Sequence, residues 1–181
     1  MIGRWIGPGV TGTLAALIGF QLTLIATPRL LMAAAYHRVS AAGVNRFTFA
    51  PLATAASRSI VRPSPDLAYS VCPFDLVRAP LLIDVPPMPS VYWSLSVFDA
   101  ETNVAFVRNN SDSSGQAVHV AVAQASQPVP ANYTRVTVGA AKGIALVRIL
   151  VEERGQFRAI DLARRATVCQ SQPWRLTPAD G

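Results

Sequence analysis

Charge is scarce in this chain. Asp, Glu, Lys and Arg make up 14% of its 181 residues, against 51% hydrophobic, and mean hydropathy is +0.32. Lysine occurs once, as Lys142, and there are two cysteines and two histidines. His37, His119, Cys72 and Cys169 are spread along the chain without ligand spacing, so neither a metal site nor a bound cofactor is expected. A Gly-x-Ser-x-Gly elbow, a phosphate loop and a dinucleotide-binding glycine fingerprint are missing too, which removes the usual sequence signs of acyl or phosphoryl transfer. The net charge of +6 and pI near 10.1 invite a nucleic-acid reading. The arginines are scattered, whereas a duplex-binding surface needs clustered cations, so that reading is set aside in favour of an anionic bilayer or an acidic partner.

What the chain does have is one long uncharged run. No charged residue lies between Arg4 and Arg29, and Gln21 is the only strongly polar side chain between them. A bilayer core takes about 20 residues of helix, so the run is long enough to span it. Pro8 sits where a helix start tolerates proline, and Trp5 lies at interfacial depth. A signal peptide is the main alternative, with Ala33-Ala34-Ala35 as its cleavage site, but its apolar core is normally shorter. Residues 1–39 are therefore read as a membrane anchor with its exit segment, and residues 40–181 as one β-rich domain. Gly12, Ala15, Ala16 and Gly19 offer small residues at helical spacing, which suits helix packing in lipid. By the positive-inside rule, Arg29, Arg38 and Arg46 would place the domain in the cytoplasm.

Behind the anchor, short apolar runs are bounded by Pro, Gly, Asn and Ser. Strands are expected at Ser57–Val61, Ala68–Cys72, Leu81–Val85, Val91–Phe98, Asn103–Val107, Ala117–Ala123, Arg135–Val138 and Ile144–Val151. No helix of crossover length separates them, so the fold class is mainly β: an antiparallel sandwich-like domain. Asn109–Gly115 reads as a hairpin loop, and His119 and Lys142 as surface and turn residues. One amphipathic helix closes the domain after Gly155, with Phe157, Ile160 and Ala163 on its apolar stripe and Arg158, Arg164 and Arg165 away from it. Cys72 and Cys169 permit one disulfide or two buried thiols.

Within residues 57–107 an ordered series of motifs appears. Arg62-Pro63-Ser64-Pro65-Asp66-Leu67-Ala68-Tyr69-Ser70 leads to Asp75-Leu76, Ala79-Pro80 and Val85-Pro86, then to Tyr92-Trp93-Ser94-Leu95 and Asp99-Ala100-Glu101-Thr102-Asn103. This order resembles the domain of unknown function 1254 family, in which Asn stands where this chain has Ser64 and Thr-Leu where it has Leu67-Ala68. The resemblance covers most of the chain after Tyr36. It implies a β-sandwich, an envelope or secreted location and no established activity, and it turns the expected orientation outward, to a domain in the periplasm anchored in the inner membrane. Members are often fused to a second domain of unknown function 1214, so the resemblance also implies a protein partner, such as a separately encoded protein of that second type.

Two functions follow as expectations. The first is an envelope accessory or structural protein without catalytic activity that docks onto a partner. The second is a small-ligand-binding or hydrolytic protein whose polar pocket would gather Arg62, Asp66, Tyr69, Asp75, Tyr92, Asp99 and Asn103, with Arg62 pairing a carboxylate or phosphate. Asp and Asn beside prolines also build turns and cap backbone groups, which is the competing reading of the same residues.

Overall fold

The computed structural model describes residues 3–54, 57 and 63–172, with side chains from Ile6 onward. The uncharged run is helical throughout: α1, Gly3–Ser40, is 38 residues and so about 57 Å long at 1.5 Å per residue. Its apolar side chains from Ile6 to Leu31 are exposed. Three of its threonines, Thr13, Thr23 and Thr27, donate their hydroxyls to the carbonyls of Gly9, Gly19 and Thr23. The helix keeps its course through Pro28 and Arg29, so the expected exit segment is a further stretch of helix, whose last turn carries His37 and Arg38, cations that suit a helix C-terminus. The small residues Gly12, Ala15, Ala16 and Gly19 lie on this exposed helix, with nothing within 4 Å of a side chain built at either glycine.

Among the described residues nine strands follow: β1 Thr48–Phe49, β2 Leu67–Asp75, β3 Leu81–Val85, β4 Trp93–Asp99, β5 Val104–Asn109, β6 Val118–Ala123, β7 Thr134–Thr137, β8 Lys142–Leu150 and β9 Val168–Ser171. They form two sheets, ordered β1-β2-β8-β4-β5 and β7-β6-β3-β9. The inward residues are the apolar half of each alternation: Phe74, Leu95, Val97, Val147 and Ile149 from the first sheet meet Leu81, Ile83, Val85, Val120 and Val122 from the second. Burying such side chains at about 25 cal/mol per Å² is the main stabilising contribution.

Three expectations are revised. β2 does not stop at Pro73, because its pairing with β8 carries on to Asp75↔Lys142. β6 and β7 pair in parallel, so the second sheet is mixed. Asn109–Gly115 holds a one-turn helix, α2 (Asn110–Ser113), closed by a capping box in which Asn109 accepts from the Asp112 amide and Asp112 accepts from the Asn109 amide. The expected strand at Ser57–Val61, like Arg62 and Trp174, falls on residues outside those described.

The two sheets are stapled. Cys72 on β2 and Cys169 on β9 form a disulfide through the core, which closes the choice between a bond and two thiols. The last helix, α3 (Phe157–Arg165), adds a second lock and corrects the placing of Arg164 on the solvent side. Arg164 follows Ile160 by four residues, so it shares the buried stripe and is 1% exposed. Its guanidinium donates to the carbonyls of Tyr69 (2.8 Å) and Ala50 (2.9 Å) and lies against the rings of Phe49 and Phe157. Asp161 accepts from both Arg164 and Arg165 at 2.7 Å. Arg165 is the larger cause that holds the Asp161 carboxyl below its usual range, with burial opposing and Arg164 adding to the shift.

Two predictions follow from these locks. Reducing the disulfide, which closes a loop of 97 residues, removes about 4–5 kcal/mol in the chain-entropy model; urea melts with and without reductant measure it, and coincident curves would refute the staple. Arg164→Met removes the bonds to the Tyr69 and Ala50 carbonyls and leaves Asp161 with Arg165 as its one cation, and costs about 3 kcal/mol in the same melts.

Candidate functional site

The residues expected to form one pocket lie at opposite ends of the first sheet. Tyr69 and Asp75 both point outward from β2, but six residues of strand hold them roughly 20 Å apart. Asp66 stands at the far end, where its carbonyl accepts from the Val151 amide, and the Tyr69 hydroxyl accepts from the Ser64 amide. Tyr92 is at that end too, half exposed, its carbonyl accepting from Leu150. Asp75, Asp99 and Asn103 sit at the near end, beside α1. Asp99 is spent on its turn: Oδ1 accepts from the Glu101 and Asn103 amides, and Oδ2 from Asn103 Nδ2. Asp75 Oδ1 accepts from the Val77 amide, while Oδ2 lies 4.0 Å from Lys142 Nζ. The turn-building role of these carboxylates is what the geometry displays.

Three other features stand out. Where α1 meets the near end of the first sheet, Met32, Ala33, Tyr36, His37, Ala100 and Lys142 line a mainly apolar cleft of about 370 Å³. Lys142 stands over the Tyr36 ring at 5.7 Å, and Arg29 reaches Glu101 at 2.5 Å. On the outward face of the second sheet, Asp84 of β3 bridges two neighbours, His119 Nδ1 at 2.6 Å and the Tyr133 hydroxyl, which donates at 3.1 Å. Burial first, then the hydrogen bond to Asp84 and its charge, push the Tyr133 phenol up to about 12. Such a carboxylate orients an imidazole for proton transfer, yet His119 stays on the surface, as expected from the sequence. Sequence reasoning missed its partners because only the register Asp84↔His119 brings them together.

The third feature is the outward face of the first sheet. Cross-strand register lines up Tyr69, Arg148, Ser94 and Asn109 in one row across β2, β8, β4 and β5. Arg148 lies over this face with Nη2 3.4 Å from the Ser96 hydroxyl. Its Nε and the Ser94 hydroxyl are buried without a hydrogen-bond partner, and Arg148 is in no salt bridge among the described residues. On the same face Val71 and Leu146, paired across β2 and β8, are half-buried.

Together these define a disulfide-stapled two-sheet β-domain carried behind a single apolar N-terminal helix. Residues 44–171 match the family described as "Protein of unknown function (DUF1254)", and the chain belongs to that family. Among solved structures it is similar to the VPA0106 protein from Vibrio parahaemolyticus, with 13% identity and a TM-score of 0.66, covering 87% of this chain and 41% of that one. It is also similar to a putative uncharacterized protein from Burkholderia cenocepacia, with 18% identity and a TM-score of 0.48, covering 74% and 36%. The chain thus spans about two fifths of the length of these structures. No curated protein matches it.

The Asp84 cluster yields a pH prediction. A phenol whose folded pKa is raised stabilises the fold below its unfolded value of 10.0, and that contribution is lost as pH rises towards about 12. Difference titration at 295 nm between wild type and Tyr133→Phe should show one tyrosine ionising near 12. Asp84→Ala should lower that midpoint without returning it to 10.0, because burial is the larger cause.

Proposed function

We propose that this protein is a membrane-anchored accessory protein of the cell envelope, held in the inner membrane by α1, with its β-domain in the periplasm docking onto a partner protein. The observation that carries this reading is the outward face of the first sheet. It combines the half-buried apolar side chains Val71 and Leu146 with Arg148, a cation that finds no carboxylate among the described residues. A partner offering an acidic or carbonyl-rich patch rimmed by apolar side chains complements it, since buried polar groups are normally paired. The Cys72–Cys169 disulfide supports an oxidising compartment, and the uncharged length of α1 supports a bilayer span. Longer proteins of the same fold, such as the Vibrio parahaemolyticus structure, make a second β-domain, or a separate protein equivalent to one, the natural class of partner.

The test is purification of the full chain in mild detergent from its own host. A stoichiometric partner that stays bound to wild type and to Leu162→Glu on α3, but is lost in Leu146→Glu and weakened in Arg148→Gln, is the expected outcome. A monodisperse monomer in every case, with no associated protein, would sink the docking reading.

A further inference from the structure

The contacts of α1 orient the domain above the bilayer, on the reading of α1 as a membrane span. Following α1 towards its C-terminus, Arg29 meets Glu101 in the β4–β5 turn, Ala33 lies beside Ala100, and Tyr36 sits under Lys142 at the start of β8. Past the helix end, Asn45 bonds Pro73 and Asp75 at the end of β2. The helix therefore crosses the strand ends in the order β4, β8, β2. In the sheet, β5 is the next strand beyond β4 on the opposite side from β8. That side is the membrane side, because Arg29 is the first charge after the uncharged run. One strand spacing of about 4.8 Å equals about three residues of helix rise, which puts β5 level with the last turn of that run.

β5 is built unlike a solvent-facing edge. Exposed edge strands are usually guarded by lysine, proline or inward charge. Here Val104, Ala105 and Val107 are exposed, at 57% for Val104 and 50% for Val107, and the one charge, Arg108, has its guanidinium 5.7 Å from the centroid of the Phe106 ring. β7, the edge of the other sheet, lies beside it. Hydrocarbon cannot satisfy the open backbone of an edge strand, whereas the headgroup layer, with its water and phosphates, can.

We propose that β5 is a lipid-contacting edge: Val104, Ala105 and Val107 rest in the headgroup layer of the bilayer that α1 spans, with Arg29 and Arg108 at the level of the lipid phosphates. The sandwich then lies with this edge down, and β1 and β2 point away from the membrane. Apolar residues with flanking arginines are the composition that interfacial binding selects.

The full chain in vesicles of phosphatidylcholine with phosphatidylglycerol tests this. The described residues hold no free cysteine, so single nitroxide labels can be placed at Val107→Cys, at Leu162→Cys on α3 and at Leu17→Cys within α1. The expected result is that a water-soluble nickel relaxant reaches the Val107 label several-fold less than the Leu162 label, while the Leu17 label responds to oxygen alone. A Val107 label as water-accessible as that at Leu162, with Leu17 still immersed, overturns the proposal and leaves the anchor standing. All three labels in water removes the anchor and the proposal with it. Spin–spin broadening between Val107 labels of different chains would show the edge pairing with a second copy, and that also overturns it.

Discussion

β8 is hydrogen-bonded along both edges, to β2 from Leu67↔Leu150 to Asp75↔Lys142 and to β4 from Trp93↔Ile149 to Asp99↔Gly143. Because side chains alternate with a period of two, a slip of one residue in this strand would turn Ala145, Val147 and Ile149 outward and bring Leu146 and Arg148 into the core. Everything else depends on that register. It places Cys72 opposite the second sheet, so that Cys169 can reach it, and it lines up Tyr69, Arg148, Ser94 and Asn109 on the outward face. Gly143 belongs to the same constraint: a side chain there would strike the Phe98 carbonyl and the Phe74 ring, at 2.3 and 2.4 Å.

The structure spends its few charges in separate ways. Arg164 is fully desolvated, and its hydrogen bonds run to the carbonyls of Tyr69 and Ala50 and to the Asp161 carboxylate, so it works as a rivet between α3 and the β1–β2 edge. Arg29 and Glu101 stay exposed, where an ion pair contributes little to stability. Arg148 lies between these extremes, central and part-buried, with one long bond to Ser96. That contrast makes the first sheet's outer face the place where the fold is least complete by itself.

Much of the architecture was legible in the chain. Leu81–Val85 is found with the bounds its flanking prolines implied, and the alternation of Val91–Phe98 became β4. The uncharged run became α1. Pro73 misled because proline usually ends a strand, whereas here it lies within β2, whose pairing with β8 runs past it. The parallel β6–β7 pair was hidden because local pattern reports which residues face inward, not the direction in which a neighbour runs. Arg164 was misplaced because its charge outweighed its i+4 spacing from Ile160, and only the carbonyls of Tyr69 and Ala50 make its burial sensible.

By itself, then, the sequence determined the helix, the β class and the family, since each rests on local periodicity or on an ordered run of motifs. Tertiary structure alone decided which groups meet. Asp66 and Asp75, nine residues apart in one motif series, stand at opposite ends of a strand, while Asp84, His119 and Tyr133, remote in the chain, meet across three adjoining segments. The reason is geometric. A strand carries its residues apart by about 3.3 Å each, whereas pairing brings distant strands to about 4.8 Å, so neighbours in sequence are separated and strangers are joined.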